Sequence, residues 1–134
     1  MTSRRFIVAA IAIGAVVGVV WRANQNFDDA ASDVFERVVS EHVRYSTPGG
    51  SQATTPKYIP IRWGRAAEWS VKNDEQFSTY KLWIEKRVPM YKIIKQSETH
   101  IMLRRTFEAE IYDLEVRYVE SGDELQVRFT VTPW

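Results

Sequence analysis

The sequence predicts an α+β fold: a single N-terminal transmembrane helix, then an amphipathic helix packed on a four- or five-stranded antiparallel sheet. Three observations predict it. Phe6 to Trp21 runs sixteen residues without a polar side chain, apolar residues recur at three- and four-residue steps between positions 27 and 45, and from Phe77 onward the period becomes two. Four segments follow: 1–22, a cytoplasmic N-terminus and signal-anchor helix; 23–45, the amphipathic helix; 46–76, a Pro/Gly-rich loop and connecting segment; and 77–134, the sheet.

At 1.5 Å per residue the apolar run covers about 24 Å, short of the roughly 30 Å hydrocarbon core. Arg4, Arg5 and Arg22 can snorkel, and Trp21 sits where an interfacial aromatic belongs, so these four anchor the helix at both membrane surfaces. A cleavable signal peptide has the same order of basic, apolar and polar regions. Cutting after Ala23 would place Trp21 at −3, and the small-x-small step Ala10-Ile11-Ala12 lies inside the run, so retention is the preferred reading. Ser3-Arg4-Arg5 also resembles the start of a twin-arginine export signal, although Phe6 to Ala9 match its continuation loosely. Arg4, Arg5 and the α-amino group precede the helix and Arg22 alone follows, which places the N-terminus in the cytoplasm and the domain in the periplasm or exterior. Along the helix Ala10, Gly14 and Gly18 share one stripe. Small residues at this spacing let a neighbouring transmembrane helix approach closely, although Ala and Gly also recur by chance in apolar segments.

In the next segment Phe27, Ala31, Val34, Phe35, Val38, Val39 and Val43 form an apolar helical face. Asn26 can cap it, and Asp28 and Asp29 oppose the helix dipole in the first turn. His42 lies near its end, where the dipole favours positive charge and where a lone His is usually structural. From Ser46 to Pro60 the chain carries Pro48-Gly49-Gly50, Pro56 and Pro60, a composition that predicts an extended arm or binding loop. Arg62, Trp63, Arg65 and Trp69 follow. Trp beside Arg suits an extramembrane interface, and the competing reading has both Trp residues plugging the end of the sheet.

The strands are read from alternation. Tyr80, Leu82 and Ile84 alternate with Lys81, Trp83 and Glu85, Tyr91 to Lys95 forms a short strand, and Gln96 to Thr99 connects it to Ile101–Ala109. Tyr112, Leu114, Val116 and Tyr118 face the core, as do Leu125, Val127, Phe129 and Val131, with Glu120-Ser121-Gly122-Asp123 turning the chain between them. The apolar phase shifts between Ile111 and Tyr112, and a bulged strand is preferred there over a hairpin. One helix across such a meander resembles cystatin-like and similar helix-on-sheet folds in architecture alone.

Composition narrows the chemistry. Eighteen basic residues against seventeen acidic ones give no basic excess, so nucleic-acid binding is not expected. The chain contains no Cys, which excludes disulfides, thiolate zinc sites and thiol catalysis. His42 and His100 lie on different elements, and no P-loop, GxSxG or HExxH spacing occurs, so no catalytic residue, cofactor or metal is assigned. The carboxylate pairs Glu108/Glu110 and Asp113/Glu115 read as solvated charges facing Arg104, Arg117 or Arg128. The expected role is a non-catalytic accessory or assembly subunit of a larger membrane complex, of respiratory or photosynthetic type by analogy. Its expected partners are transmembrane and extramembrane protein subunits and membrane lipid. The alternative is an anchored periplasmic module that holds a small apolar or lipid ligand.

Overall fold

A computed structural model describes residues 33–120 and 123–134. The expected transmembrane helix, with Ala10, Gly14, Gly18, Arg4, Arg5, Trp21 and Arg22, lies outside the described residues, as do Ser121 and Gly122. Among the described residues no helix is long and apolar enough to cross a membrane. The chain divides into two units, Met1–Arg37 and Val38–Trp134. Of the first, residues 33–37 are described and are helical.

The second unit holds the rest of that helix, α1 (33–46), then strands β1 Lys57–Pro60 and β2 Arg65–Lys72, helix α2 Phe77–Arg87, and strands β3 Lys92–Ser97, β4 His100–Phe107, β5 Glu110–Val119 and β6 Glu124–Pro133. The strands form one sheet in the order β1-β2-β6-β5-β4-β3, antiparallel throughout. The α+β class holds, with six described strands in place of four or five and a second helix beside the first.

Three expectations are corrected. Residues 77–87 are helical, although Tyr80, Leu82 and Ile84 suggested a strand. Positions i and i+4 share a face at both periods, so Tyr80 and Ile84 fit either element. The decisive residues are Phe77, buried at i−3 from Tyr80, and Leu82, 65% exposed where a strand would bury it.

The segment 46–76 is not a free loop. Ala67, Trp69 and Val71 point inward while Glu68 and Lys72 stay exposed, and this alternation makes β2. The Pro-rich stretch before it is laid along β2: Thr54 N donates to the Ser70 carbonyl (2.8 Å) and Lys72 N donates to the Gln52 carbonyl (3.1 Å). Pro56 and Pro60 are compatible with that position, because a sheet-edge residue needs no donor on its open side.

At the 109–112 junction the chain turns rather than bulges. Phe107 pairs with Glu110 across a two-residue hairpin, and Glu108 takes the positive φ (55°) that Gly or Asn usually supplies.

One sheet face carries the core. Leu125, Val127, Phe129, Leu114, Val116, Ile101 and Leu103 are each at most 1% exposed, beneath α1 residues Val39, His42 and Ser46 and α2 residues Tyr80 and Ile84. Each large apolar side chain so buried contributes about 1.5–3 kcal/mol. The opposite face is polar. Arg104 holds Asp113 with two bonds (2.7 and 3.0 Å), Arg117 Nε lies 3.1 Å from Glu115, and Arg128 lies 3.7 Å from Glu68. Asp113 and Glu115 thus meet Arg104 and Arg117 as alternation suggested, whereas Arg128 faces Glu68, and Glu110 instead accepts from the Tyr112 hydroxyl (2.8 Å).

Candidate interaction surface

The four residues Arg62, Trp63, Arg65 and Trp69 part company in the structure. The β1–β2 connection is tight: Gly64 has φ +125°, and a Cβ there would run into the Val131 carbonyl oxygen. This close approach of turn to β6 backbone leaves Trp63 projecting, 70% exposed, with the Arg62 guanidinium 5.7 Å from its ring centroid. Arg65 begins β2 opposite Val131 and is half-buried. Trp69 turns inward. It is 3% exposed, and its Nε1–H donates to Ser46 Oγ at 2.9 Å. Trp63 therefore belongs to the surface and Trp69 to the core, where it lies opposite Val127 in the middle of β2 and not at the end of the sheet.

Several buried polar groups hold α1. Ser46 Oγ accepts from Trp69 and donates to the Val43 carbonyl (3.1 Å), and the Ser46 carbonyl accepts the Tyr80 hydroxyl at 2.7 Å. One turn earlier, His42 stacks on Phe129 (ring centroids 4.1 Å apart) and lies 2.7 Å from the Tyr91 hydroxyl. His42 Nδ1 is 2.7 Å from the Val38 carbonyl, which can only accept, so Nδ1 carries the proton and Nε2 accepts from Tyr91. Residues from β2, α2 and the α2–β3 connection thus hold the last two turns of α1 at defined points. Burial lowers the His42 pKa below 6.5, outweighing the Val38 bond and Glu41, which raise it; the positive charge expected at the helix end is opposed by desolvation. Burial likewise pushes the Tyr80 and Tyr91 hydroxyls up, so both stay protonated donors.

His42 and His100 lie on opposite sides of the sheet, His42 against the core and His100 on the charged face 3.3 Å from Glu115. Among the described residues no group of three His, Asp or Glu is placed to hold a metal ion. Among the described residues the surface has open grooves, two of which bear on the site. One, about 500 Å³, is lined by polar residues of the outer face including Thr54, Glu68, Glu115 and Arg128; the other, about 330 Å³, lies between α2 and β3 against Leu82, Ile93 and Ile101.

Sequence reasoning overlooked further surface aromatics. Phe107 is 49% and Trp134 82% exposed, with Arg105 positioned 5.0 Å from the Phe107 ring centroid. Phe107 stands in the alternating run Ile101–Ala109 in phase with the buried Ile101 and Leu103, whereas Trp134 lies out of phase with Leu125, Val127, Phe129 and Val131. Their exposure follows from the hairpin at 108–109 and from the bond of Trp134 N to the Ala109 carbonyl (2.8 Å). No protein-family model and no curated protein matches the chain.

Proposed function

We propose that the chain is a single-pass, membrane-anchored accessory or assembly subunit of a larger membrane complex, non-catalytic, with its N-terminus cytoplasmic and its α+β domain outside the cytoplasm. In this reading Ala10, Gly14 and Gly18 pack on a neighbouring transmembrane helix, Arg4, Arg5, Trp21 and Arg22 hold the span at its two surfaces, and Arg62 and Trp63 offer an extramembrane contact. The observation that carries it is the fastening of α1, the first described element after the apolar run, through His42–Tyr91, Ser46–Trp69 and Ser46–Tyr80. A mere tether needs no such fixation, whereas a subunit that places a domain at a set position in an assembly does. The test is purification of the tagged full chain in mild detergent beside a Gly14→Leu/Gly18→Leu variant. Wild type is expected to migrate in a discrete large species that the variant leaves. A wild-type chain that runs as a free monomer refutes the reading.

The apolar groove between α2 and β3 favours a second reading, an anchored module for a small apolar ligand, because Leu82, Ile93 and Ile101 line it. Native mass spectrometry of the purified chain separates the two, a retained ligand of defined mass favouring the module.

A further inference from the structure

The second unit has two chemically different ends. At the end reached by the β1–β2 turn, the α2–β3 connection, the β4–β5 turn and the close of β6 stand the exposed side chains of Trp63, Met90, Phe107 and Trp134. Arg62, Arg65, Lys86, Arg87, Lys92 and Arg105 accompany them, against Glu85, Glu108 and Glu110. At the opposite end the β2–α2 connection and the β3–β4 and β5–β6 turns carry Asp74, Glu75, Glu98, Glu120, Asp123 and Glu124, against Lys72 and Lys81, whose ammonium donates to the Ser97 carbonyl (2.9 Å). The near-neutral total charge hides this separation, because the two ends cancel.

The direction of α1 picks out one of these ends. Ser46 lies against Trp69, whose strand partner is Val127, and His42 lies against Phe129, two residues further along β6. Stepping back one helical turn therefore moves one row along the sheet, about 6 Å in either element. One more turn brings Val38 to the row of Arg65, Val131, Tyr112 and Arg105, at the aromatic, basic end. The chain thus enters this unit from the end that carries Trp63, Phe107 and Trp134.

We infer that this end rests on the lipid headgroup region of the membrane that the chain spans, with Trp63, Phe107 and Trp134 at the interface and the acidic end turned to water. The inference builds on the anchored reading above and names lipid as the partner of the Arg62–Trp63 turn. Trp suits the headgroup level because its ring is apolar and its N–H polar, and arginines around it attract anionic headgroups. The opposite acidic end is repelled by the same surface, so charge and apolar exposure select one orientation.

The absence of Cys makes the test clean. Full-length chains with one introduced cysteine, Pro133→Cys beside Trp134 or Glu98→Cys in the β3–β4 turn, are labelled with an environment-sensitive fluorophore. They are reconstituted in phosphatidylcholine–phosphatidylglycerol vesicles containing lipid spin-labelled near the headgroup. Quenching at position 133 is expected to exceed that at 98 by about twofold or more, and adding Trp63→Ser and Phe107→Ser should bring it toward the control. Equal quenching at both positions in a chain that floats with the vesicles overturns the inference and leaves the anchor standing. A chain that does not float overturns both.

Discussion

Tyr91→Phe removes one oxygen atom and tests how α1 is held. In the native chain the Tyr91 hydroxyl donates to His42 Nε2 across 2.7 Å, and both residues are less than a tenth exposed. Without the hydroxyl, Nε2 is an acceptor buried among apolar groups, and such an orphan costs about 1–3 kcal/mol. His42→Phe keeps a ring stacked on Phe129 but orphans the Tyr91 hydroxyl, at a similar cost. The double variant replaces both partners with apolar groups. Its destabilisation is therefore expected to fall short of the sum of the singles by about 1–2 kcal/mol. The assay is urea unfolding of the detergent-solubilised chain, followed by far-ultraviolet circular dichroism in the four members of the cycle. Single effects that add to within about 0.5 kcal/mol refute the argument that this bond fastens α1.

Two further outcomes follow from the same geometry. Burial lowers the folded-state pKa of His42 from 6.5, so between the two values the unfolded chain binds more protons. Stability should therefore rise with pH through that window and fall as pH drops below 6.5, and His42→Phe should flatten this part of the urea-midpoint profile; an unchanged slope counts against it. Gly64→Ala sets a Cβ against the Val131 carbonyl at φ +125° and should lower stability by about 2 kcal/mol or more, read as a shift of the urea midpoint. A neutral substitution would mean that the β1–β2 turn is not packed on β6 as described.

The parts of the fold legible from sequence were those where one period holds without competition. In β5 and β6 the inward residues Leu114, Val116, Leu125, Val127 and Phe129 are those alternation selects, because each strand has one covered and one wet face. In α1, Val39 is buried at helical spacing, as expected, and His42 and Ser46 share its stripe. Their burial was hidden because the pattern search weighs apolar residues, and both are polar groups whose partners, Tyr91, Trp69 and Tyr80, come from distant segments. Helix α2 was misread where the two periods coincide. Strand β2 was overlooked because the Pro and Gly residues before it signal a loop whether or not the chain then lies along a sheet. Of the proposed surface, the Arg62–Trp63 turn was legible as residue type. Its separation from Trp69 was not, since strand alternation makes Trp69 equally plausible on either face until the position of α1 is known.

Among the described residues the sheet has two open margins, and neither invites another strand. β1 is four residues long and bracketed by Pro56 and Pro60, while β3 carries Lys92 and Lys95 and loses register with β4 between Ile93 and Lys95. Short, proline-bounded or irregular lysine-bearing margins discourage backbone pairing with a second sheet. For a domain held at a membrane, as proposed above, this has a particular value. Confinement to a plane concentrates like molecules with like orientation, the condition under which open margins would join into a growing ribbon. With both margins blunted, neighbouring copies can crowd on one surface and still remain separate.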